Sequence, residues 1–135
     1  MGKEKELIRC FLAVEIPDAV RRAAAELTED LRKGAQFTKA HPSWVKPQNM
    51  HFTVVFLGQR SANQVERVKR LMEDIPRAIA PFPVEVGGLG VFPNPRNPKI
   101  VWVGVRKGNE SFARLYDAVV KRLERIRYQP EKRPY

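Results

Sequence analysis

The segment Trp44–Gly58, WVKPQNMHFTVVFLG, places one histidine and one threonine two residues apart inside an apolar run. Successive side chains of a β-strand point to opposite faces, so His51 and Thr53 are expected to share a face with Val55. That face continues to Leu57, and the opposite face carries Met50, Phe52, Val54 and Phe56. Imidazole is the side chain best suited to move protons near neutral pH, and a hydroxyl can hold a phosphate oxygen. The pair is a candidate catalytic site if the strand opens onto a cleft; the alternative is a hydrogen-bonded core histidine beside an ordinary strand threonine.

The whole segment resembles the first signature of the 2H phosphoesterases, the RNA 2′,3′-cyclic phosphodiesterases once called 2′-5′ RNA ligases. The family signature reads W-V-x-P-x-N-x-H-x-T-x-x-F-L-G, and this chain matches every fixed position of it. Three further stretches agree with the family: CFLAVEIP at residues 10–17, GLGVFP at residues 88–93 and RPY at residues 133–135. The resemblance covers essentially the whole chain.

The family is defined by two His-x-Thr (HxTx) motifs, and this sequence contains one. In the family an R-P-[FY] run leads almost directly into the second motif, which is therefore expected just after Tyr135. A weak internal repeat points to the same place. In the first half of the chain, Ala13 and His51 are 38 residues apart. The same distance counted from Val103 in the second half ends beyond the last residue. We expect the 135 residues to belong to a longer protein.

The resemblance implies an α+β fold with two lobes, an antiparallel sheet in each lobe around a central cleft, and helices on the outside. The second lobe would be incomplete in this chain, which we interpret as a single domain over residues 1–135. Local patterns predict strands at residues 8–16, 51–57, 83–92 and 100–105, and three helices. The first helix is expected to begin with Asp18 as its N-cap and to end at Gly34. The second should begin with a Ser61–Gln64 capping box and end at Pro76. The third is expected to follow Gly108-Asn109.

Composition restricts the class of partner and the compartment. Lys and Arg number 25 against 15 acidic residues, for a net charge of +10, which favours polyanionic partners. The alternative is a solvated basic surface without a specific partner. No apolar run approaches the roughly 20 residues of a membrane helix, and no signal-peptide core follows the start, so a cytoplasmic protein is expected. Cys10 is the single cysteine, and its apolar strand indicates a core residue rather than a nucleophile.

The resemblance implies hydrolysis of RNA 2′,3′-cyclic phosphate ends to 2′-phosphate ends, in RNA processing. His51 would be the general acid, a second histidine would activate water, and Thr53 would donate a hydrogen bond to phosphate. The same residues could run the reverse 2′-5′ ligation. No cofactor is expected, and no metal, because two histidines and one cysteine show no ligand spacing.

Four other residues are candidates for contacting RNA. Phe92 could stack on a base, and Lys46, Arg96 and Arg133 could contact phosphates. The alternatives are a packing role for the aromatic ring and solvated charges for the rest. His41, in a proline-flanked loop, is interpreted as a surface residue rather than the missing base.

Two other functions remain open at this stage. The chain could be a catalytically silent RNA-binding protein with half of the active site, or two copies could complement each other's half-sites. In the favoured interpretation the partner is RNA with 2′,3′-cyclic phosphate ends, tRNA fragments among the candidates, and the protein is a monomer that does not bind membranes.

Overall fold

The computed structural model describes residues 6–34, 43–96 and 99–129. Its strands are β1 (Ile8–Glu15), β2 (His51–Arg60), β3 (Glu85–Phe92) and β4 (Ile100–Lys107). Its helices are α1 (Asp18–Gly34), α2 (Ala62–Met72), the short α3 (Ile75–Ala78) and α4 (Asn109–Glu124), and a 3-10 turn spans Pro47–Asn49. Strand β1 pairs with β2 in one sheet, and β3 pairs with β4 in another. The arrangement is the α+β combination of strands and helices that the sequence predicts.

Helix boundaries follow the predicted signals with two corrections. Asp18 is the first residue of α1 and not its N-cap, because the Pro17 carbonyl already accepts the first helical hydrogen bond, from Arg21 N–H at 2.9 Å. Pro76 does not end α2, which ends at Met72. It lies in the first turn of α3, where the missing N–H of proline costs no helical hydrogen bond.

The predicted capping box at the start of α2 is confirmed. The Ser61 hydroxyl accepts a hydrogen bond from Gln64 N–H at 3.3 Å, and the Gln64 side-chain oxygen accepts one from Ser61 N–H at 2.9 Å. Two otherwise unsatisfied N–H groups at the helix start are thereby paired. The helix start is therefore fixed by its own sequence.

The chain divides into two compact units. One is Phe11–Val55, and the other is formed by the described residues up to Cys10 and from Phe56 onward. In the first unit α1 packs against the 3-10 turn, and in the second α2 packs against α4. The buried side chains of the second unit include Leu115, Val119 and Leu123, which form an apolar stripe at helical spacing along α4. The single-domain interpretation stays a prediction.

The β3–β4 hairpin is antiparallel and carries much exposed apolar surface. Gly90 lies opposite Trp102, and a Cβ at Gly90 would overlap the Trp102 ring, so the hairpin needs glycine there. Its exposed apolar side chains are Leu89, Phe92, Ile100, Val101, Trp102 and Val103. None of the helices in the described ranges has the length and apolarity needed to cross a membrane.

Candidate active site

His51 is the first residue of β2 and is exposed. Its Nδ1 lies 2.7 Å from the carbonyl oxygen of Asn49, the last residue of the 3-10 turn. A carbonyl oxygen can only accept, so Nδ1 must carry the proton of this hydrogen bond. The second ring nitrogen, Nε2, is therefore the one left for proton exchange. The turn orients the imidazole and selects its tautomer.

The ring of Phe11, in β1, stacks on the imidazole ring of His51. The two rings stack with centroids 4.8 Å apart and an interplanar angle of 23°. Phe11 is itself half exposed, so the pair lies at the surface of its unit rather than in a core. In the sequence, Phe11 belongs to a family-like strand, and no local pattern predicts a role for its ring. The contact depends on how β1 pairs with β2, which no local pattern reveals.

The face of β2 that carries His51 changes from exposed to buried along the strand. His51 is exposed, Thr53 is half-buried, and Val55 is 1% exposed. The interpretation of His51 as a core histidine is therefore wrong. Within residues 6–34, 43–96 and 99–129 the Thr53 hydroxyl has no hydrogen-bond partner, so it remains available to a ligand oxygen.

The four RNA-contact candidates fall in different parts of the chain. Lys46 is exposed directly before the 3-10 turn, in the same unit as His51. Phe92 and Arg96 are exposed in the other unit, and Arg96 N–H donates to Asn94 Oδ1 at 3.0 Å. Arg133 lies outside the described residues, and so does His41. The contacts proposed for these residues stay predictions.

Cys10 is half-buried, and its Sγ lies 3.5 Å from the Gly58 carbonyl oxygen. This contact inside a paired strand agrees with a packing role. Among the residues that the structure describes, no three His, Cys, Asp or Glu side chains converge in a group that could hold a metal ion.

Comparison with known proteins identifies the family of this chain. The family described as LigT like Phosphoesterase matches residues 14–102, a span that contains all of β2 and the His-x-Thr motif. The chain belongs to this family, the 2H phosphoesterases that the segment Trp44–Gly58 indicates.

Curated relatives carry a more specific name. RNA 2′,3′-cyclic phosphodiesterases of Archaeoglobus fulgidus and Methanothermobacter thermautotrophicus are each 30% identical to this chain over 125 residues, or 93% of it. The match covers 66% of the first relative and 65% of the second. The chain thus spans about two thirds of the length of these relatives.

Solved structures confirm the fold. A crystal structure from Thermus thermophilus superposes with a TM-score of 0.75 at 30% identity, covering 89% of this chain and 62% of that one. E. coli LigT, crystallised with 3′-AMP, gives a TM-score of 0.64 at 22% identity, covering 96% of this chain and 69% of that one. The predicted α+β class with antiparallel sheets is therefore confirmed as a 2H phosphoesterase fold.

Proposed function

We propose that this protein, in a chain of its relatives' length, hydrolyses RNA 2′,3′-cyclic phosphate ends to 2′-phosphate ends without a metal. The observation that supports this most directly is the state of His51. An exposed imidazole with Nδ1 bonded to a backbone carbonyl presents Nε2 as the only ring nitrogen free to exchange a proton.

In this reaction water attacks the phosphorus and the bond to the ribose 3′ oxygen breaks. His51 in its protonated form gives the Nε2 proton to the departing 3′ oxygen, which leaves as a hydroxyl, and the phosphate stays on the 2′ oxygen. The water proton passes to a second base. The Asn49 carbonyl and the Phe11 ring hold the imidazole in one orientation throughout, so little reorganisation is needed during proton transfer.

Thr53 is proposed to bind a non-bridging phosphate oxygen. Its Cα follows that of His51 by two residues on one strand, a separation of about 7 Å. The two side chains can therefore contact the same phosphodiester at different oxygens. The Thr53 hydroxyl would donate to an oxygen whose negative charge increases as water attacks.

The second base is expected in the second His-x-Thr motif, after Tyr135. The same two histidines could also run the reverse reaction and join RNA ends through a 2′-5′ bond. The net charge of +10 supports RNA as the substrate class, since binding a polyanion releases counterions.

A product analysis tests the proposal. An RNA oligonucleotide ending in a 2′,3′-cyclic phosphate is incubated with EDTA and a chain of the relatives' length, and the product ends are identified by mass and chromatography. The proposal expects 2′-phosphate ends. Ends with 3′-phosphate, or turnover that EDTA abolishes, would contradict it.

The alternative is a catalytically silent RNA-binding protein, which the net charge of +10 also supports. Under this alternative RNA binds with strong salt dependence, and no product forms even from the longer chain. Product formation by the longer chain therefore separates the two functions.

A further inference from the structure

An open cleft of about 580 Å³ lies beside α2, in the unit that contains the residues from Phe56 onward. Four exposed arginines surround two half-buried aliphatic side chains in this cleft. Its lining residues are Arg67, Arg70, Leu71, Arg125, Ile126 and Arg127. A smaller cleft of about 340 Å³ shares Arg67 and Arg70, so the concave surface continues along α2.

The residues that line the two clefts include four arginines and one acidic residue, Glu66. None of these four arginines forms an ion pair with a carboxylate among the described residues. Glu66 pairs with Lys69 at 3.3 Å, and Asp74 pairs with Arg122 at 2.9 Å while the charge of Arg125 also helps to lower the pKa of Asp74. Unpaired guanidinium groups around a concave surface are typical of a site for anions.

The turn that carries Arg125 and Arg127 is rigidly held. Tyr128 N–H and Ile126 N–H both donate to the Leu123 carbonyl, at 3.0 and 3.2 Å. Tyr128 is buried, with the Arg60 guanidinium 4.4 Å from its ring centroid. The backbone positions of the two arginines are thus fixed by the turn, which lowers the part of the entropic cost of binding that comes from the backbone.

Arg127 has a φ of 58°, in the left-handed region that favours glycine. Helices often end with such a residue, and glycine is its usual identity because a Cβ is disfavoured there. Because arginine in this conformation lowers the stability of the protein, its presence favours a role for the side chain other than folding.

We propose that the arginine cleft binds phosphates of the RNA strand. The inference rests on the proposed RNA substrate and adds to it a second contact surface, distinct from His51 and Thr53. Guanidinium groups pair with phosphate oxygens in a bidentate fashion, and the aliphatic floor of Leu71 and Ile126 suits the apolar faces of ribose or base. The cleft contributes affinity without sequence preference.

The first test measures binding of a single-stranded RNA of roughly 12 nucleotides with ordinary hydroxyl ends. The double variant Arg67→Gln/Arg125→Gln removes two charges from the cleft. The control Arg22→Gln/Arg114→Gln removes two exposed charges from α1 and the first half of α4. Each lost phosphate contact lowers the slope of log affinity against log salt by about 0.7, so the cleft variant should lose about 1.4 and bind roughly 25-fold more weakly at 0.1 M salt.

The second test uses Arg127→Gly. Glycine adopts the left-handed conformation without the strain caused by a Cβ, but it lacks the guanidinium group. The urea midpoint should therefore rise or stay the same, while the affinity for RNA falls. A residue with only a structural role would not separate stability from binding in this direction.

The inference is overturned if the cleft and control variants lose the same affinity and slope. It is also overturned if the cleft variant loses binding to phosphatidylserine vesicles but not to RNA, because the occupant would then be a lipid surface. Since this RNA has no cyclic phosphate, the result does not depend on hydrolysis, and either proposal can fail alone.

Discussion

The Phe11 ring stacks on the His51 ring, with centroids 4.8 Å apart and planes 23° from parallel. Together with the hydrogen bond from Nδ1 to the Asn49 carbonyl, this contact restrains the imidazole in both position and tautomer. Neither restraint occupies Nε2. A surface histidine is thereby given the fixed geometry that general acid catalysis requires.

Replacing Phe11 with alanine should lower the rate of hydrolysis of a 2′,3′-cyclic phosphate end. Aromatic pairs contribute about 0.5–1.5 kcal/mol, so a loss of roughly 2- to 13-fold in kcat is expected. Phe11→Tyr, which keeps the ring, is the matched control and should retain most of the activity. An unchanged kcat for Phe11→Ala would show that the stacking does not position the acid.

Replacing Thr53 with valine keeps the shape and removes the hydroxyl. A hydrogen bond to a charged group is worth about 1.5–3 kcal/mol, so kcat/KM should fall roughly 10- to 150-fold. Thr53→Ser retains the donor and serves as the control. A loss in Thr53→Ser with activity retained in Thr53→Val would indicate a packing role for the methyl group instead of a phosphate contact.

The ion pair between Asp74 and Arg122 predicts a pH-dependent contribution to stability. The hydrogen bond from Arg122, with its charge and that of Arg125, lowers the pKa of Asp74 from its ordinary value of 3.8. A carboxyl with a lowered pKa contributes stability above its ordinary pKa, and this contribution is lost as the pH falls through the lowered value. Asp74→Asn should therefore reduce the urea midpoint at pH 7, and the difference from the parent protein should disappear below the lowered pKa.

Glu73→Gln is the control for that measurement, since it removes a neighbouring exposed carboxylate that has no ion pair among the described residues. A difference between Asp74→Asn and the parent protein that stays constant down to the acid limit would contradict the assignment.

The capping box at the start of α2 predicts a loss of stability for Ser61→Ala. Removing the hydroxyl leaves the Gln64 N–H without its partner and should lower the free energy of unfolding by about 1 kcal/mol. Urea titration measures the loss, and Ser61→Asp, which restores an acceptor, should recover most of it. If the alanine and aspartate variants were equally unstable, the cap would not be the cause.

Local sequence signals predicted the parts of this fold that depend on neighbours along the chain. The alternation in β2, the capping box of Ser61 and the stripe of α4 all follow from spacing within one element. The position of Pro76 was assigned wrongly because proline is compatible with both the end of one helix and the first turn of the next.

Contacts between distant segments could not be predicted in this way. The stacking of Phe11 on His51 depends on strand pairing, and Arg67 joins Arg125 only because α2 packs against α4. The 2H resemblance predicts His51 and Thr53 as site residues from a motif, whereas no motif predicts the arginine cleft. Arginines that are scattered through a basic sequence do not predict a binding site until the positions of the helices are known.

The rate of cyclic phosphate hydrolysis by His51→Ala, in a chain of the relatives' length, tests the central claim most directly. Since a positioned general acid contributes on the order of 10²–10⁴ in rate, kcat should fall by that factor, while His41→Ala should retain the parent rate. Binding of hydroxyl-ended RNA should be unchanged in both variants. Hydrolysis by His51→Ala at the parent rate would contradict the assignment of His51 as the catalytic acid.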